Sequence, residues 1–479
     1  MVIFIPVVQG FAYRYLIQTK IFEFLQLNAT KIIILVPSPS DPFYDKLKNY
    51  SNVIIEDYNL EECDNYLRKS KLHRALIYIR SAVQNESFDI TTTKEIYESN
   101  LKDIISSSGN NFLLKITDLI IKICRKSLFL RKFLLALENL FYSPSMHMDY
   151  FEKYKPDTLI VSSLGTFHYD QFFMRQAKRV GARTVSIVLS WDNTTTRGAP
   201  AAYCDKVISW TNVMKDELIN LNDINKSKIE VGGVAHYDYY FDKNFVWSRE
   251  ALFDYFCIDK NKKIILFATK SPNCYASNAF VAELIAKAIS LKSLSDDMVL
   301  LIRLHPIYYR RKNSELVYQQ DLNEIHEIIS KYNNVVLNEP FIQTNVMNFS
   351  MPDREIKLLA SIIKHSSVIV NMFSTLNIEA SIFNIPIVNV AFENENSLNK
   401  NLKSRFDIDL DLRQSHNQRI VNSNGVKMVY KSSKLIESIS ECLMNPDKMS
   451  EGRKKIVDTE VGFYKGSAGE RIAHLVLES

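Results

Sequence analysis

Cysteine is scarce and scattered in this chain. The six residues (Cys63, Cys124, Cys204, Cys257, Cys274 and Cys442) form no CxxC pair and keep no regular spacing, which argues against both a zinc site and a disulfide framework. A reducing cytoplasm is the compartment this predicts. Long apolar runs are missing too: no stretch of about 18 uncharged apolar residues occurs, so no spanning helix is expected. The apolar opening "MVIFIPVV" has no basic leader and no small-residue cleavage pattern, and it passes directly into Gln9 and Gly10. It predicts a first strand, not a signal peptide. Neither sign of charge is in excess. Lys+Arg number 59 against 54 Asp+Glu, and a net charge of +5 over so large a surface is too mild to argue for nucleic acid. There is no internal repeat and no low-complexity tract.

What remains is a chain of 479 residues, 46% hydrophobic and 24% charged, the profile of a folded soluble protein. Its length fits two domains of roughly 200 residues each. Short β-branched runs alternate with helical patterns throughout, which predicts parallel sheets covered by helices on both faces. The spacing places strands near 2–8, 31–36, 52–55, 157–162, 183–189 and 205–209, with "KIEV" ending at paired glycines. In the second half they fall near 263–268, 298–304, 334–337, 367–371 and 386–390. The expected fold is therefore α/β, with two doubly wound, Rossmann-like domains. The join is expected within "VGGVAHYDYYFDKN" (231–244), with Gly232 and Gly233 either a hinge or an ordinary strand-to-helix turn.

Residues 110–142 stand apart. Leu113, Ile116, Ile120 and Ile123 fall at helical spacing, as do Leu130, Leu134, Leu137 and Phe141; Lys115, Lys122, Arg125, Lys126, Arg131 and Lys132 supply a basic face. Two compatible readings are open: helices packed on the sheet with solvated lysines, or a basic amphipathic surface for an anionic membrane.

Ligands of open parallel sheets bind beyond the carboxyl ends of the strands. In the second half the loops there are "TKSPNCY" (269–275), "RLHP" (303–306) and "NMFST" (371–375), which gather Lys270, Ser271, Arg303, His305, Ser374 and Thr375. Two cations, a histidine and hydroxyls at a helix start suit a diphosphate. Ser374 is expected to cap the helix and leave its first N–H groups for phosphate. Glu379, one turn on, is placed to accept from a ribose diol. In the first half, "SSLGTFHYDQ" (162–171) and "SWDNTTTRGAP" (190–200) follow strands. A transfer that deprotonates an attacking hydroxyl needs a base, for which Asp192 and His168 are the candidates. The candidate acceptor-binding residues are Trp191, which offers a face for a sugar, Arg197, a grip on an anion, Gly10, which allows close backbone approach, and Asn193, whose other reading is a turn pair with Asp192.

Together "LIRLHP", "FSTLNIEASIFNIPIVNV", "VGGVAHYDYY" and "GSAGERIAHLVLE" resemble nucleotide-sugar glycosyltransferases of the GT-B fold, in the bacterial surface-polysaccharide branch. The pattern is similar to Kdo and CDP-glycerol type transferases and to UDP-GlcNAc 2-epimerases of the same architecture. The resemblance implies two Rossmann-like domains facing across a cleft. An acceptor domain would span 1–235 and a donor domain 245–465, with a final helix in 466–479 crossing back to the first. It implies donor-phosphate roles for His305, Ser374 and Thr375 and a ribose role for Glu379. Two departures matter: Met372 stands seven positions before Glu379, where the glycogen-synthase-like branch has an acidic residue, and the Gly-Gly of the epimerase phosphate loop is missing.

The expected activity is transfer of a sugar from a nucleotide-sugar to a lipid-linked or polysaccharide acceptor, as in lipopolysaccharide or capsule synthesis. The expected site is cytoplasmic, or peripheral at the inner membrane face, with no metal and no cofactor. The alternatives are an epimerase or hydrolase acting on the nucleotide-sugar itself, and a non-catalytic scaffold. The acidic run "FDIDLDL" (406–412) invites a metal-binding reading through Asp407, Asp409 and Asp411, but their alternation suits a solvated strand edge better.

Overall fold

A computed structural model describes residues 1–107, 111–167, 169–312, 315–341, 347, 350–394 and 408–478. The chain forms two compact units. One comprises Met1–Asp238, Thr344–Ser350 and Glu460–Ser479; the other comprises Tyr239–Gln343 and Met351–Thr459.

The first unit is built on seven parallel strands: β1 (Val2–Pro6), β2 (Lys31–Val36), β3 (Val53–Asp57), β4 (Thr158–Val161), β5 (Arg183–Ile187), β6 (Lys206–Ser209) and β7 (Ile229–Val231). Their order is β3-β2-β1-β4-β5-β6-β7. Central strands read as unbroken apolar runs because both faces are covered: in β2 every residue after Lys31 is buried. The edge strand β3 ends in Glu56, half-buried and paired with Lys153, and in Asp57, which faces water.

The second unit repeats the plan with β8 (Lys263–Ala268), β9 (Met298–Arg303), a small hairpin β10 (Arg311–Lys312) and β11 (Glu315–Leu316), β12 (Val335–Asn338), β13 (Ser366–Asn371), β14 (Ile387–Val390) and β15 (Lys427–Val429). The sheet order is β12-β9-β8-β13-β14-β15. Each sheet thus runs outward from its first strand and then restarts on the other side of it. The reversal lies between β1 and β4 in one unit and between β8 and β13 in the other. Loops diverge at such a reversal and leave a crevice beyond the carboxyl ends.

The paired glycines have a packing role. A Cβ on Gly232 would sit 2.5 Å from Ile208 Cγ2 and 2.7 Å from Ile472 Cγ1, and one on Gly233 (φ +91°) would sit 2.7 Å from Ala468 Cβ. They let the last helix, Ala468–Leu477, lie against the end of β7. Asp238 then caps that helix, its carboxylate accepting from Ala468 N at 2.9 Å and Gly469 N at 2.7 Å. The division between units falls after Asp238, beyond the glycines.

Between β3 and β4 the described residues form six helices: Leu60–Lys69, Lys71–Ser81, Thr92–Ser107, Asn111–Lys126, Leu128–Phe141 and Met148–Tyr154. They enclose a small core of Ile79, Val83, Tyr97, Ile121, Cys124 and Leu134. Ser127 splits the 110–142 stretch in two by accepting from Leu130 N at 3.3 Å, an N-cap. The expected basic face divides as well. Arg131 turns inward to Asp223 at 2.5 and 3.0 Å, and Arg125 donates from Nε to Ala82 O at 3.0 Å. Lys115, Lys122, Lys126 and Lys132 stay exposed. So do Ile116, Leu119, Ile120 and Ile123 on one helix, and Phe129, Phe133, Leu140 and Phe141 on the next. Among the described residues no helix is long and apolar enough to cross a membrane.

Candidate functional site

In the second unit, the three loops picked out from the sequence do leave the carboxyl ends of β8, β9 and β13. Thr269 ties two of them together: its hydroxyl accepts from His305 N at 2.9 Å. Asn278 fixes the first by accepting from Lys270 N at 3.0 Å and donating to Lys270 O at 2.9 Å. His305 Nδ1 accepts from Ile307 N at 3.2 Å, which leaves its proton on Nε2. Burial, then the charges of Arg303 and Lys270, push its pKa down to about 4. The ring is therefore a neutral donor at pH 7.

The two cations differ from expectation. Arg303 is buried and gives Nη1 to Glu355 Oε1 at 2.5 Å and to Asn338. Its charge is neutralised inside the unit. Lys270 pairs with Asp411. That carboxylate lies on a helix, Ile408–Arg413, where the sequence suggested a strand edge. Asp409 belongs to the same helix, and Asp407 is outside the described residues. A phosphate approaching Lys270 must exchange with Asp411.

The helix after β13 runs Leu376–Ile382, with Thr375 as N-cap. Ser374 Oγ accepts from Leu376 N at 3.0 Å, while Asn377 N and Ile378 N donate to Ser374 O and Thr375 O at 3.1 and 2.9 Å. The first N–H groups expected to await a phosphate thus have partners within the turn. Ser271 Oγ donates to Asn273. Glu379 is buried, and its Oε2 accepts from Tyr240 Oη at 2.5 Å.

Sequence reasoning passed over the polar floor of this region. Asn371 and Asn389 stand side by side at the ends of β13 and β14. They and Asn377 are at most 1% exposed, and among the described residues none of their side-chain nitrogens or oxygens has a hydrogen-bond partner. Three buried, unsatisfied amides are a place for water or for polar ligand atoms. The signal was present as the repeated Asn in "NMFSTLNIEASIFNIPIVNV".

In the first unit, Asp192 precedes the short helix Asn193–Thr196. Its carboxylate accepts from Ser190 Oγ at 2.5 Å, Thr196 Oγ1 at 3.3 Å and Asn193 Nδ2 at 3.5 Å. Trp191 is 5% exposed, so its ring is part of the interior and offers no open stacking face. Arg197 is exposed, its guanidinium 4.6 Å over the Phe167 ring. Gly10 opens the helix Gly10–Leu16 directly after β1. His168 lies outside the described residues.

Its neighbour Asp170, which sequence reasoning missed, is fully enclosed at the end of β4, where Ser162 Oγ and Ser163 Oγ donate to it at 3.0 and 2.8 Å. Burial outweighs those hydrogen bonds and lifts its pKa to about 7. The folded chain holds this proton more tightly than the unfolded chain. The resulting stability is complete below about pH 4 and is lost as pH rises through about 7, by about 1.4 kcal/mol per unit. Urea titrations of wild type and Asp170→Asn across pH 4 to 8 are expected to diverge by that slope; parallel curves would contradict it.

Residues 119–347 match the family model of CDP-Glycerol:Poly(glycerophosphate) glycerophosphotransferase. No curated protein sequence matches the chain significantly. Among solved structures, UDP-GlcNAc 2-epimerase from Neisseria meningitidis bound to UDP-GlcNAc superposes with a TM-score of 0.54 at 14% identity, covering 100% of both chains. The enzyme of the same name from Methanocaldococcus jannaschii gives 0.52 at 14%, again over 100% of both. The S. aureus MnaA-UDP structure gives 0.51 at 11%, over 98% of this chain and 94% of that one. The chain has the GT-B fold. At such identities the likeness establishes architecture and no substrate. Within the GT-B plan, the family match spans the strands from β4 to β12, and with them the loops that carry Asp170, Asp192, Lys270 and His305.

Proposed function

We propose that this chain is a transferase that moves a glycosyl or polyol-phosphoryl group from a nucleotide-diphosphate-linked donor to a growing surface polymer at a membrane. The match of residues 119–347 to a family of glycerophosphotransferases carries this reading. In it the second unit holds the donor. Lys270, released from Asp411, faces the diphosphate, with Ser271, Ser374 and Thr375 as hydroxyl partners and neutral His305 donating from Nε2. Glu379 accepts from the ribose beside its hydrogen bond from Tyr240. Arg303, neutralised by Glu355, holds the β9 end in place. The first unit receives the acceptor, with Asp192 as base and Gly10, Asn193 and Arg197 lining its approach; Trp191 supports that loop from beneath. In this scheme Lys270 and the imidazole N–H of His305 neutralise the leaving group, so activity is expected to survive EDTA.

The nucleotide released tests the reaction. If an acceptor hydroxyl attacks the β-phosphorus of CDP-glycerol, the P–O–P bridge breaks and CMP leaves; glycosyl transfer breaks the sugar C–O bond and leaves a nucleoside diphosphate. Chromatography after incubation with CDP-glycerol or with UDP-sugars, with and without a glycerophosphate polymer, is expected to show acceptor-dependent release of one of these. Release or epimerisation that ignores acceptor, or none with any donor, would refute transfer.

The membrane part of the reading rests on the outward apolar stripes of the helices Asn111–Lys126 and Leu128–Phe141, where Phe129 is 74% and Leu140 73% exposed. Four exposed lysines lie among them, each adding about 1 kcal/mol near an anionic surface. Co-sedimentation with phosphatidylglycerol vesicles is expected, weakened by salt and at least tenfold by Phe129→Asp with Phe133→Asp. Equal binding of wild type and double variant would remove this part.

A further inference from the structure

Arg14 sits in the helix Gly10–Leu16, which leaves β1 at the reversal point of the first sheet. Its side chain is 8% exposed, and two of its guanidinium nitrogens, Nε and Nη2, are inaccessible and without a hydrogen-bond partner. No carboxylate pairs with it among the described residues. Asp238, a buried acid on the segment that carries His236, gives both its oxygens to the last helix. A guanidinium cannot shed its proton to escape burial, so an enclosed Arg without a counter-ion is a standing cost that a bound anion would remove.

A second observation lies against the same helix, where the His236 ring meets Phe11 and Tyr15. His236 is 5% exposed, and its Nδ1 is likewise enclosed and unpartnered. The rings of Tyr15, Trp210 and Tyr237 surround it at centroid distances of 5.0, 5.5 and 4.2 Å. Burial and the Arg14 charge hold it neutral. A neutral imidazole adds a hydrogen bond to an anion without adding a second charge. We propose that Arg14 and His236 form a phosphoryl-binding site in the first unit, with the guanidinium fork taking two oxygens and the imidazole N–H a third. The phosphoryl group can come from a polyol phosphate or from a nucleotide diphosphate. The inference rests on the unpaired guanidinium and is independent of the transfer reaction proposed above.

Thermal unfolding of the full chain with inorganic phosphate, glycerol 3-phosphate or CDP, at ionic strength matched with chloride, tests it. Wild type is expected to gain a saturable rise of about 2–4 °C in Tm with at least one of these probes. Arg14→Met is expected to lose that rise while melting no lower than wild type without anion, since an uncompensated charge has gone. Arg14→Lys keeps the charge without the fork and is expected to bind at least tenfold more weakly, which serves if the Met variant does not fold. A rise lost with glycerol 3-phosphate identifies a polyol-phosphate site; the part of a CDP rise lost in the variants identifies a nucleotide site. No saturable response in wild type, or the same response in the variants, overturns the proposal. Because no donor turnover is measured, failure of the transferase reading leaves the result intact.

Discussion

Glu138→Ala is expected to destabilise the first unit by about 3–5 kcal/mol, the range for stripping one partner from a buried ion network. Glu138 has no solvent exposure, and its two oxygens accept from Arg80 Nε and Arg175 Nη2, each at 2.9 Å. Burial, more than any other influence, draws the pKa of Arg175 down to about 10, and Glu138 is the leading influence opposing that fall. Without the carboxylate two enclosed guanidinium groups would face each other uncompensated. The damage would spread to the Asp192 loop, since Arg80 donates to Ala199 O at 3.1 Å and Arg175 to Ala201 O at 2.8 Å. That loop has no slack. A Cβ on Gly198 (φ +76°) would lie 2.4 Å from Ser81 O. Denaturant titration of Glu138→Ala decides the matter, with Glu138→Gln expected between it and wild type because one acceptor remains. A loss below about 1 kcal/mol would mean that the pair is worth no more than a surface salt bridge.

This network also marks where sequence reading stops. Strands such as Lys31–Val36 and Lys263–Ala268 were legible to the residue, because a strand buried on both faces must be apolar throughout. The three residues of β15 carry too little pattern, and its place depends on pairing with β14. The strand-end loops were legible for a topological reason: once a sheet is parallel, the loops that matter follow from the order of the chain. Partner choice was not. Glu355 reaches Arg303 from 52 positions away and Asp411 reaches Lys270 from 141, and nothing local to "RLHP" or "TKSP" announces either pairing. The same holds for Arg14, whose Nε and Nη2 have no partner among the described residues. Asp170 is the opposite case: Ser162 and Ser163 stand eight and seven residues before it. The periodicity of a buried helix start could have found it.

Asp192→Asn is expected to lower turnover by about 10²–10⁴, the usual contribution of a positioned general base, with nucleotide affinity unchanged. The geometry makes this a clean substitution. Asp192 terminates its turn through the backbone: Thr195 N and Thr196 N donate to Asp192 O at 3.1 and 3.0 Å, and no side-chain cap forms. An amide of the same shape keeps that cap, and its carbonyl can still accept from Ser190 Oγ. What it loses is the capacity to take a proton. Ser190→Ala separates orientation from basicity, because removing the 2.5 Å hydroxyl contact leaves the carboxylate ionisable but less fixed. Its expected loss is smaller, roughly tenfold. Steady-state rates with donor and acceptor, beside calorimetric titration of the nucleotide, distinguish the outcomes. If Asp192→Asn turns over within threefold of wild type, the proton goes elsewhere. If nucleotide binding falls with the rate, Asp192 belongs to ligand recognition and not to proton transfer.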